Sequence, residues 1–270
     1  MRKTKRQAAR AEQAAAAEQP ADAVRSGYGG EEGEGRYRRL VETLVATNED
    51  TDRAMHLAIG GEFEGVGLLE RDLLIWQGLA PDGFVIDVGC GSGRLAAPLS
   101  GYLKGGYLGT DVVPDLLDYA RRLVNRPDWR FEQAQGLAIP APDASADIVC
   151  FFSVFTHLRH EESYVYLQEA KRVLQPQGRI IFSFLEFAMN GHWAVFDGNV
   201  AGIHSDHPLN QFMSRDAITT WARHLDLDLI EIYDGEEANI PLAQPITFEN
   251  GKTYETMGAL GQSIAVLGLP

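Results

Sequence analysis

The stretch VIDVGCGSGRLAAPL, residues 85–99, constrains the fold of this chain more than any other part of its sequence. An apolar run that contains Asp87 is followed by glycines at every second position, Gly89, Gly91 and Gly93, and then by a helix-like pattern. Glycine adopts backbone conformations that strain other residues, and it lets a ligand approach the main chain closely. In open α/β sheets, ligands bind where the first strand turns into its helix. The stretch therefore predicts a ligand-binding turn in an α/β domain.

From residue 84 onward, short apolar runs alternate with segments of helical periodicity. The pattern predicts strands at 84–88, 106–110, 129–133, 148–152, 179–184, 227–233 and 263–267. It predicts helices between them at 94–103, 114–124, 161–174 and 214–224, and a turn at the QPQG of residues 175–178. Such alternation is typical of βαβ units. The predicted fold class is α/β, a doubly wound and mostly parallel sheet with helices on both faces.

Composition divides the chain into three predicted regions. Residues 1–35 are polar and rich in alanine and glycine, which predicts a flexible tail. Residues 36–80 carry helical patterns at 36–47, 51–59 and 68–79, which predict an N-terminal helical cap. Residues 81–270 form the predicted ligand-binding domain. Within it, residues 187–213 have no clean periodicity, and a long segment of this kind is typical of a lid or substrate loop.

The charge and cysteine content exclude several classes of protein. The formal net charge of −14 repels phosphate backbones, and no basic patch is evident, so nucleic-acid binding is disfavoured. Two cysteines in 270 residues make no disulfide framework and fit a reducing compartment. The basic N-terminus lacks the apolar core of a signal peptide, and no apolar run approaches the ~18 residues of a membrane span. We expect a cytoplasmic protein.

Two common nucleotide-binding motifs do not match the glycine stretch. The nicotinamide and flavin fingerprint needs G-x-G-x-x-G, but its third glycine would fall on Arg94. A P-loop needs a Gly-Lys-Ser/Thr ending, which is not present here. The pattern that stands in the sequence is D-x-G-x-G-x-G.

This pattern resembles the first motif of the class I S-adenosylmethionine-dependent methyltransferases, of the type that acts on small molecules. YLGTDVVPDLLDYA resembles the second-strand segment of that family, SADIVCFFSVFTHL its fourth strand, and YLQEAKRVLQPQGRIIFSF its fifth strand with the preceding helix. The resemblance covers residues 84–184 in register, and GQSIAVLGL more loosely matches the final antiparallel strand. It implies the Rossmann-like methyltransferase fold, with a seven-stranded sheet, and S-adenosyl-L-methionine as the cofactor.

The resemblance also implies which residues bind the cofactor. Asp111 stands where the family has the acid that binds both ribose hydroxyls, 18 residues after Gly93. Gln135 stands where the family often has an aspartate that accepts from the adenine amino group, and a glutamine carbonyl can accept the same bond. The full set of expected cofactor-binding residues is Asp87, Gly89, Cys90, Gly91, Gly93, Arg94, Asp111, Val112, Gln135, Gly136, Leu137 and Phe152.

Simpler interpretations of several of these residues stay open. Asp111 can instead cap the helix that begins near Pro114. Arg94 either reaches the methionine carboxylate of the cofactor or only decorates the helix surface. Cys90 is expected to contribute through its backbone alone.

His157, just beyond the fourth strand in SVFTHL, is the best candidate for a catalytic base, because imidazole titrates near neutral pH. The alternative is that it caps the next helix or packs under the cofactor. Glu186, His192 and Trp193 are the expected acceptor-binding residues, Glu186 at the pocket rim and the other two in an aromatic lid. The HSDH of residues 204–207 contains metal-ligand residue types, but such short clusters are usually polar surface, so we expect no metal.

The leading functional hypothesis is methyl transfer to an oxygen or nitrogen of a small-molecule or sugar-like acceptor. One alternative is a relative that transfers another group from the same cofactor. A second is a non-catalytic S-adenosylmethionine-binding scaffold or regulator. A nucleic-acid methyltransferase is disfavoured, because the fourth strand exits as CFFSVF and not as the Asn/Asp-Pro-Pro-aromatic motif of the enzymes that methylate amino groups in DNA.

Overall fold

A computed structural model describes residues 31–60, 62–204 and 210–270 of the chain. Most of the predicted tail, and Asp206 and His207 of the HSDH cluster, lie outside the described residues. Among the residues described, no helix combines the length and the apolar character needed to cross a bilayer.

A seven-stranded sheet forms the centre of the structure. Its strands are β1 Val85–Val88, β2 Tyr107–Asp111, β3 Arg130–Gln133, β4 Ala146–Phe151, β5 Leu174–Phe184, β6 Asp228–Tyr233 and β11 Ser263–Gly268. Two small antiparallel pairs lie between β6 and β11: β7 Ile240–Pro241 with β10 Met257–Gly258, and β8 Ile246–Thr247 with β9 Thr253–Tyr254. The order in the sheet is β3-β2-β1-β4-β5-β11-β6, and β11 alone runs antiparallel to its neighbours. The predicted fold class is confirmed.

The strand order places the reversal of the sheet between β1 and β4. From β1 the chain moves outward to β2 and β3, and it then returns to add β4 and β5 on the other side. The connections on the two sides leave a crevice at the carboxyl ends of these strands, which is where such sheets bind ligands. The glycine turn follows β1 directly, so it lies at this crevice.

Helices cover both faces of the sheet. They are α1 Glu31–Thr47, α2 Thr51–Ala58, α3 Glu64–Trp76, α4 Ala96–Ser100, α5 Pro114–Val124, α6 His160–Val173, α7 Trp193–Ala201 and α8 Arg215–His224. Single turns of 3₁₀-helix occupy Phe155–His157 and Asn190–His192. Side-chain caps fix two of the starting points: the Asp50 carboxylate accepts from two backbone N–H groups of α2, and the Ser214 hydroxyl accepts from one of α8.

Three local predictions are wrong. Residues 31–35, predicted as loop, are the first turn of α1. The helix predicted at 68–79 begins earlier, at Glu64, and ends at Trp76. Gly65 and Gly67 lie in its first turn, where they allow neighbouring residues to pack closely. The QPQG of residues 175–178 is not a separate turn but part of β5, where Gln177 has a φ of 71° and the pairing with β4 shifts register.

Two apolar layers sandwich the sheet, and alternate residues of the buried strands enter opposite layers. In β4, for example, Phe151 packs into one layer and Cys150 into the other. A smaller apolar cluster, in which Val41 and Met55 contact Leu116, attaches α1 and α2 to α5. The helical cap therefore has its own hydrophobic contact with the domain.

The segment 234–262, which carries β7 to β10, packs against α3, a contact that the sequence did not predict. Asp72 of α3 accepts a hydrogen bond from the Ala243 N–H at 2.9 Å, and a Cβ added at Gly258 would lie 2.3 Å from Leu69. We call this part of the chain the 234–262 excursion. It and the N-terminal cap form one continuous wall beside the carboxyl ends of the strands.

We predict that Gly67→Ala loosens the contact between α3 and the glycine turn. A Cβ at this position would lie 2.3 Å from the backbone carbonyl oxygen of Arg94, which cannot move aside as a flexible side chain can. The expected cost in free energy of unfolding is about 1–3 kcal/mol, measured by urea denaturation. Gly198→Ala in α7 is the control: no atom lies within 4 Å of its added Cβ, so helix propensity alone should stabilise by up to about 1 kcal/mol. Equal effects of the two substitutions would contradict the proposed contact.

Candidate active site

The turn after β1 has the backbone geometry that its glycines suggested. Gly89, Gly91 and Gly93 have φ values of 74°, 54° and 91°, all in the left-handed region. The N–H groups of Gly89 and Cys90 both donate to the Thr110 carbonyl of β2, at 2.7 and 2.9 Å. The turn is therefore fixed to the neighbouring strand and presents bare main chain to the crevice.

Space around the turn is limited by three neighbours. A Cβ at position 89 would lie 2.4 Å from Val154, which follows β4, and one at position 91 would lie 2.6 Å from Ile59 at the end of α2. One at position 93 would lie 3.0 Å from Ala120 of α5. The turn thus tolerates only glycine at the places where the cap and the next helix approach it.

Asp111 lies at the tip of β2, buried and turned towards the glycine turn. Its two carboxylate oxygens accept from the backbone N–H of Gly91, at 3.0 Å, and of Val113, at 2.9 Å. The helix-capping alternative is not supported, because α5 has no side-chain cap at its first turn. The carboxylate is held rigidly beside the turn, as ribose binding requires.

The residues expected at the adenine position lie on the loop that follows β3. The Ala134 N–H donates to the backbone carbonyl of Asp111 at 2.9 Å, which keeps this loop beside the tip of β2. Gln135 and Gly136 are exposed, and Leu137 is half-buried. Val112 lies on the same side of the turn, where its carbonyl accepts from the Gln133 amide. The adenine contact of Gln135 stays a prediction.

Arg94 does not decorate the helix surface. It forms a buried ion pair with Glu70 of α3, with Nη2 at 2.6 Å from Oε1 and Nε at 3.3 Å from Oε2. Its Nη1 donates to the Ile59 carbonyl at 3.1 Å. Burial raises the pKa of Glu70, and the neighbouring guanidinium opposes that shift.

A cavity of about 180 Å³ lies on the β4 side of the turn. Its wall comes from the cap, the turn, the exit of β4 and the end of the 234–262 excursion: Ile59, Gly60, Val66, Glu70, Arg94, Ser153, Leu260 and Gln262. Ser153 has a φ of 59°, unusual for a residue other than glycine. Its backbone N–H donates to Ser183, and the Gln262 amide donates to its hydroxyl at 3.1 Å. The floor of the cavity is therefore a fixed polar network.

Helix α1 covers the turn from the other side. The Tyr37 hydroxyl donates to the Ala58 carbonyl at 3.3 Å, and burial together with the nearby Asp111 raises the pKa of Tyr37. The Tyr37 ring is stacked on the ring of His157, with 6.3 Å between the centroids. His157 itself is exposed, on the 3₁₀ turn that follows β4. The predicted catalytic base thus lies at the carboxyl edge of the sheet, beside the cap.

The side chains of Asp87 and Phe152 are buried in the sheet next to the turn, and their part in cofactor binding stays a prediction. Asp87 is buried in β1, where its carboxylate accepts from the Tyr107 hydroxyl at 2.7 Å. Desolvation raises its pKa to about 7. Phe152 is buried in one of the two apolar layers, and so is the side chain of Cys90. Burial raises the pKa of the Cys90 thiol well above its usual range, and a part in binding through the backbone alone stays the prediction.

Glu186 does not lie at an open rim of the pocket. It is buried beyond the end of β5 and forms a two-pronged ion pair with Arg215, at 2.9 and 2.7 Å. The Ser263 hydroxyl donates to the same carboxylate, and Asp234 accepts from the Nη2 of Arg215 that also donates to Glu186. These partners leave Glu186 no open face towards an acceptor, so it joins β5, α8 and β11 instead.

Of the two residues predicted in the lid, one is structural and one is exposed. His192 is buried: its Nδ1 accepts from the Glu186 N–H at 2.9 Å, and its Nε2 donates to the Gly261 carbonyl at 2.9 Å. It therefore fastens the lid to the 234–262 excursion. Trp193 is 44 % exposed and packs with Phe187 and Phe196 in an aromatic cluster at the lid surface. The predicted aromatic residues do form a cluster, with Trp193 in it and His192 buried outside it, and their part as a lid stays a prediction.

The sequence did not single out Glu70, Ser153, Gln262 or a role for Tyr37. The helix glycines at 65 and 67 were the one signal that α3 packs tightly against something. Nothing in the sequence indicates the left-handed conformation of Ser153, or that the distant Gln262 joins it. Among the described residues, no three His, Cys, Asp or Glu side chains lie together as a metal site.

The site fits an adenosyl cofactor. The turn can admit no side chain, Asp111 offers a buried carboxylate beside it, and a polar cavity continues on the opposite side. Residues 86–182 match a family model described as a methyltransferase domain. This segment is a methyltransferase domain of the kind found in the class I S-adenosylmethionine-dependent enzymes.

Similarity to individual methyltransferases is confined to part of the chain. A demethylmenaquinone methyltransferase of Deinococcus radiodurans is 36% identical over 107 residues, 38% of this chain and 42% of that protein. A malonyl-[acyl-carrier protein] O-methyltransferase of Hahella chejuensis is 30% identical over 139 residues, 50% of this chain and 47% of that protein. The chain thus spans less than half of the length of the curated relatives it matches.

Solved methyltransferase structures share the fold over most of this chain. Magnesium protoporphyrin IX methyltransferase of Synechocystis with bound SAH superposes with a TM-score of 0.55 over 90% of this chain and 97% of that one, at 15% identity. An S-adenosylmethionine-dependent methyltransferase of Anabaena variabilis gives a TM-score of 0.56 over 88% of this chain and 95% of that one, at 14% identity. At these identities the likeness concerns the fold alone.

We predict that Asp87 makes the stability of this methyltransferase domain depend on pH. Its folded-state pKa of about 7 lies above the usual value of an unfolded aspartate, so the folded state binds the extra proton. This contribution to stability is fully present below about pH 4 and is lost as the pH rises through 7. In the wild type, ionisation of Asp87 should lower the urea midpoint between pH 5 and pH 8. Asp87→Asn should remove this contribution to the pH dependence of the midpoint. The exposed Asp82→Asn is the control, and an unaltered pH profile in Asp87→Asn would contradict the assignment.

We predict that Glu186 stabilises the fold and does not bind the acceptor. Glu186→Ala removes a buried carboxylate from Arg215, whose own side chain is 40% exposed. The free energy of unfolding should therefore fall by about 3 kcal/mol, the low end of the range for broken buried ion pairs. Urea unfolding measures it, with the exposed Glu231→Ala as the control. The affinity for S-adenosylhomocysteine should stay within about twofold of the wild type. Unchanged stability with altered turnover would restore the acceptor-binding interpretation.

Proposed function

We propose that this protein transfers the methyl group of S-adenosylmethionine to an oxygen or nitrogen of a small-molecule acceptor. The observation that carries this proposal is the Asp111 carboxylate, buried at the tip of β2 and bonded to the Gly91 N–H of the glycine turn. A buried carboxylate beside bare main chain is suited to a ribose, whose two hydroxyls donate hydrogen bonds. The names of the relatives, which include methyltransferases for a demethylmenaquinone, a malonyl carrier protein and a fatty acid, support a non-nucleic-acid acceptor.

When bound, the cofactor supplies an electrophilic methyl group on its sulfonium. The work left to the protein is then to align the acceptor and to exclude water. The rigid turn and Asp111 orient the cofactor, α1 covers it through Tyr37, and the aromatic lid borders the acceptor side next to the exit of β4. The Gln211 N–H donates to the Thr156 carbonyl at 2.6 Å, which links the lid segment to the residues that follow β4.

His157 is the group we propose as the base for an acceptor that carries a proton of high pKa. It lies at the carboxyl edge of β4, where it is exposed and its ring is stacked on the ring of Tyr37. Imidazole accepts a proton near neutral pH and can hold it until the product leaves. We expect the protein to act in the cytoplasm, in keeping with its acidic charge and its two unpaired cysteines.

The proposal predicts that Asp111→Asn loses affinity for the cofactor while the fold survives. The amide cannot accept from both ribose hydroxyls and both backbone N–H groups, so S-adenosylhomocysteine should bind about 10- to 100-fold more weakly by calorimetry. The exposed Asp115→Asn, four residues further on, is the control and should bind as the wild type does. If the wild type bound neither S-adenosylmethionine nor S-adenosylhomocysteine at millimolar concentration, the proposed function would be wrong.

Catalysis is tested separately from binding, because a scaffold protein would bind the cofactor without turnover. We expect transfer of label from S-adenosylmethionine into the small-molecule fraction of a cell extract. His157→Ala should lower this turnover by about 100-fold or more with cofactor affinity unchanged. Binding without any transfer would favour the scaffold, and unchanged turnover in His157→Ala would leave this residue a packing role only.

A further inference from the structure

Glu70 is a buried acid in the wall of the cavity, contributed by a helix that precedes the domain shared with the relatives. It lies one turn beyond Gly67, where α3 approaches the Arg94 backbone more closely than any side chain would permit. That approach brings the Glu70 carboxylate onto the Arg94 guanidinium. The position of Glu70 therefore follows from the docking of α3 on the glycine turn.

A buried ion pair such as this one is weak evidence of a contribution to stability. Two apolar side chains of similar volume would usually stabilise a buried site as well or better, because both charges lose their water. Of the five N–H groups of Arg94, the hydrogen bonds to Glu70 and Ile59 occupy three. Both members of the pair face the cavity. A charged ligand in the cavity would find one group of each sign there.

The position of the cavity says which part of the cofactor it suits. Asp111 stands on the β2 side of the turn, whereas Ser153 and the cavity stand on the β4 side, and β1 lies between β2 and β4 in the sheet. With the ribose at Asp111, the remainder of the cofactor extends across the turn towards the cavity. That remainder is an α-amino acid, which carries an ammonium and a carboxylate.

We propose that Glu70 and Arg94 form the receptor for the amino-acid end of S-adenosylmethionine. Glu70 accepts hydrogen bonds from the α-ammonium, and Arg94 donates to the carboxylate. This inference rests on the proposed function, and it adds Glu70 to the cofactor-binding residues. It also gives the cap a direct part in binding, since α3 supplies one of the two charges.

The test measures ligand affinity by calorimetry for three ligands that differ only at this end. S-adenosylhomocysteine has both charges, decarboxylated S-adenosylhomocysteine keeps the amine alone, and 5′-methylthioadenosine lacks the whole amino acid. Each is titrated into the wild type, Glu70→Gln and Asp72→Asn. Asp72 is the matched control, because it is a buried, ion-paired acid on the same helix that bonds Arg71 and Ala243 outside the cavity.

We expect Glu70→Gln to weaken both amine-bearing ligands about tenfold or more and to leave 5′-methylthioadenosine within about twofold of the wild type. Asp72→Asn should leave all three affinities in place. The inference would be overturned if Glu70→Gln lost affinity equally for all three ligands or for none of them. Tighter binding of S-adenosylhomocysteine would also overturn it, because Glu70 would then only neutralise Arg94. If the wild type bound none of the three ligands, the proposed function itself would be contradicted. That result is distinct from those that overturn only the role of Glu70.

A second variant covers the case in which Glu70→Gln does not fold. Glu70→Asp keeps the charge next to Arg94 but withdraws the carboxylate by one methylene from the cavity. It should show the same selective loss for the two amine-bearing ligands, with a melting temperature close to that of Asp72→Asn. Loss of affinity for 5′-methylthioadenosine as well would assign the pair a purely structural role.

Discussion

The bond between the Asp111 carboxylate and the Gly91 N–H is the constraint on which the site depends. It joins the turn after β1 to the tip of β2. The N–H groups of Gly89 and Cys90, which donate to the Thr110 carbonyl, join the turn to the same strand. A turn with three left-handed glycines would otherwise have many conformations open to it. Because the acid that faces the crevice also holds the turn, the shape and the charge of the site are set by one residue.

The walls of the site come from chain segments far apart in sequence. Helix α3 presses on the turn at Gly67, and the 234–262 excursion returns to pack on α3 through Asp72 and Gly258. His192 ties the lid to the same excursion through the Gly261 carbonyl. The cap, the lid and the excursion therefore form a connected rim around a crevice that the sheet alone would leave open.

The sequence predicted the sheet and the turn because both depend on local pattern. Alternating apolar runs specify a parallel sheet, and glycines at every second position are recognisable without knowledge of their neighbours. What it did not predict depends on contacts between distant segments. Glu186 resembles a rim residue until Arg215 and Ser263 enclose it, and Glu70 resembles a surface acid until α3 docks on Arg94. The bond between Asp87 and Tyr107 joins two neighbouring strands, and nothing in the local pattern of either strand indicates it.

The composition of the cavity wall has a consequence for the segment that the family model matches. Of the described lining, Arg94 and Ser153 lie within that segment, and the rest come from the cap and the excursion. A fragment cut back to residues 86–182 would keep the glycine turn and lose most of this wall. The flanking segments are therefore part of the binding unit and not accessories to it.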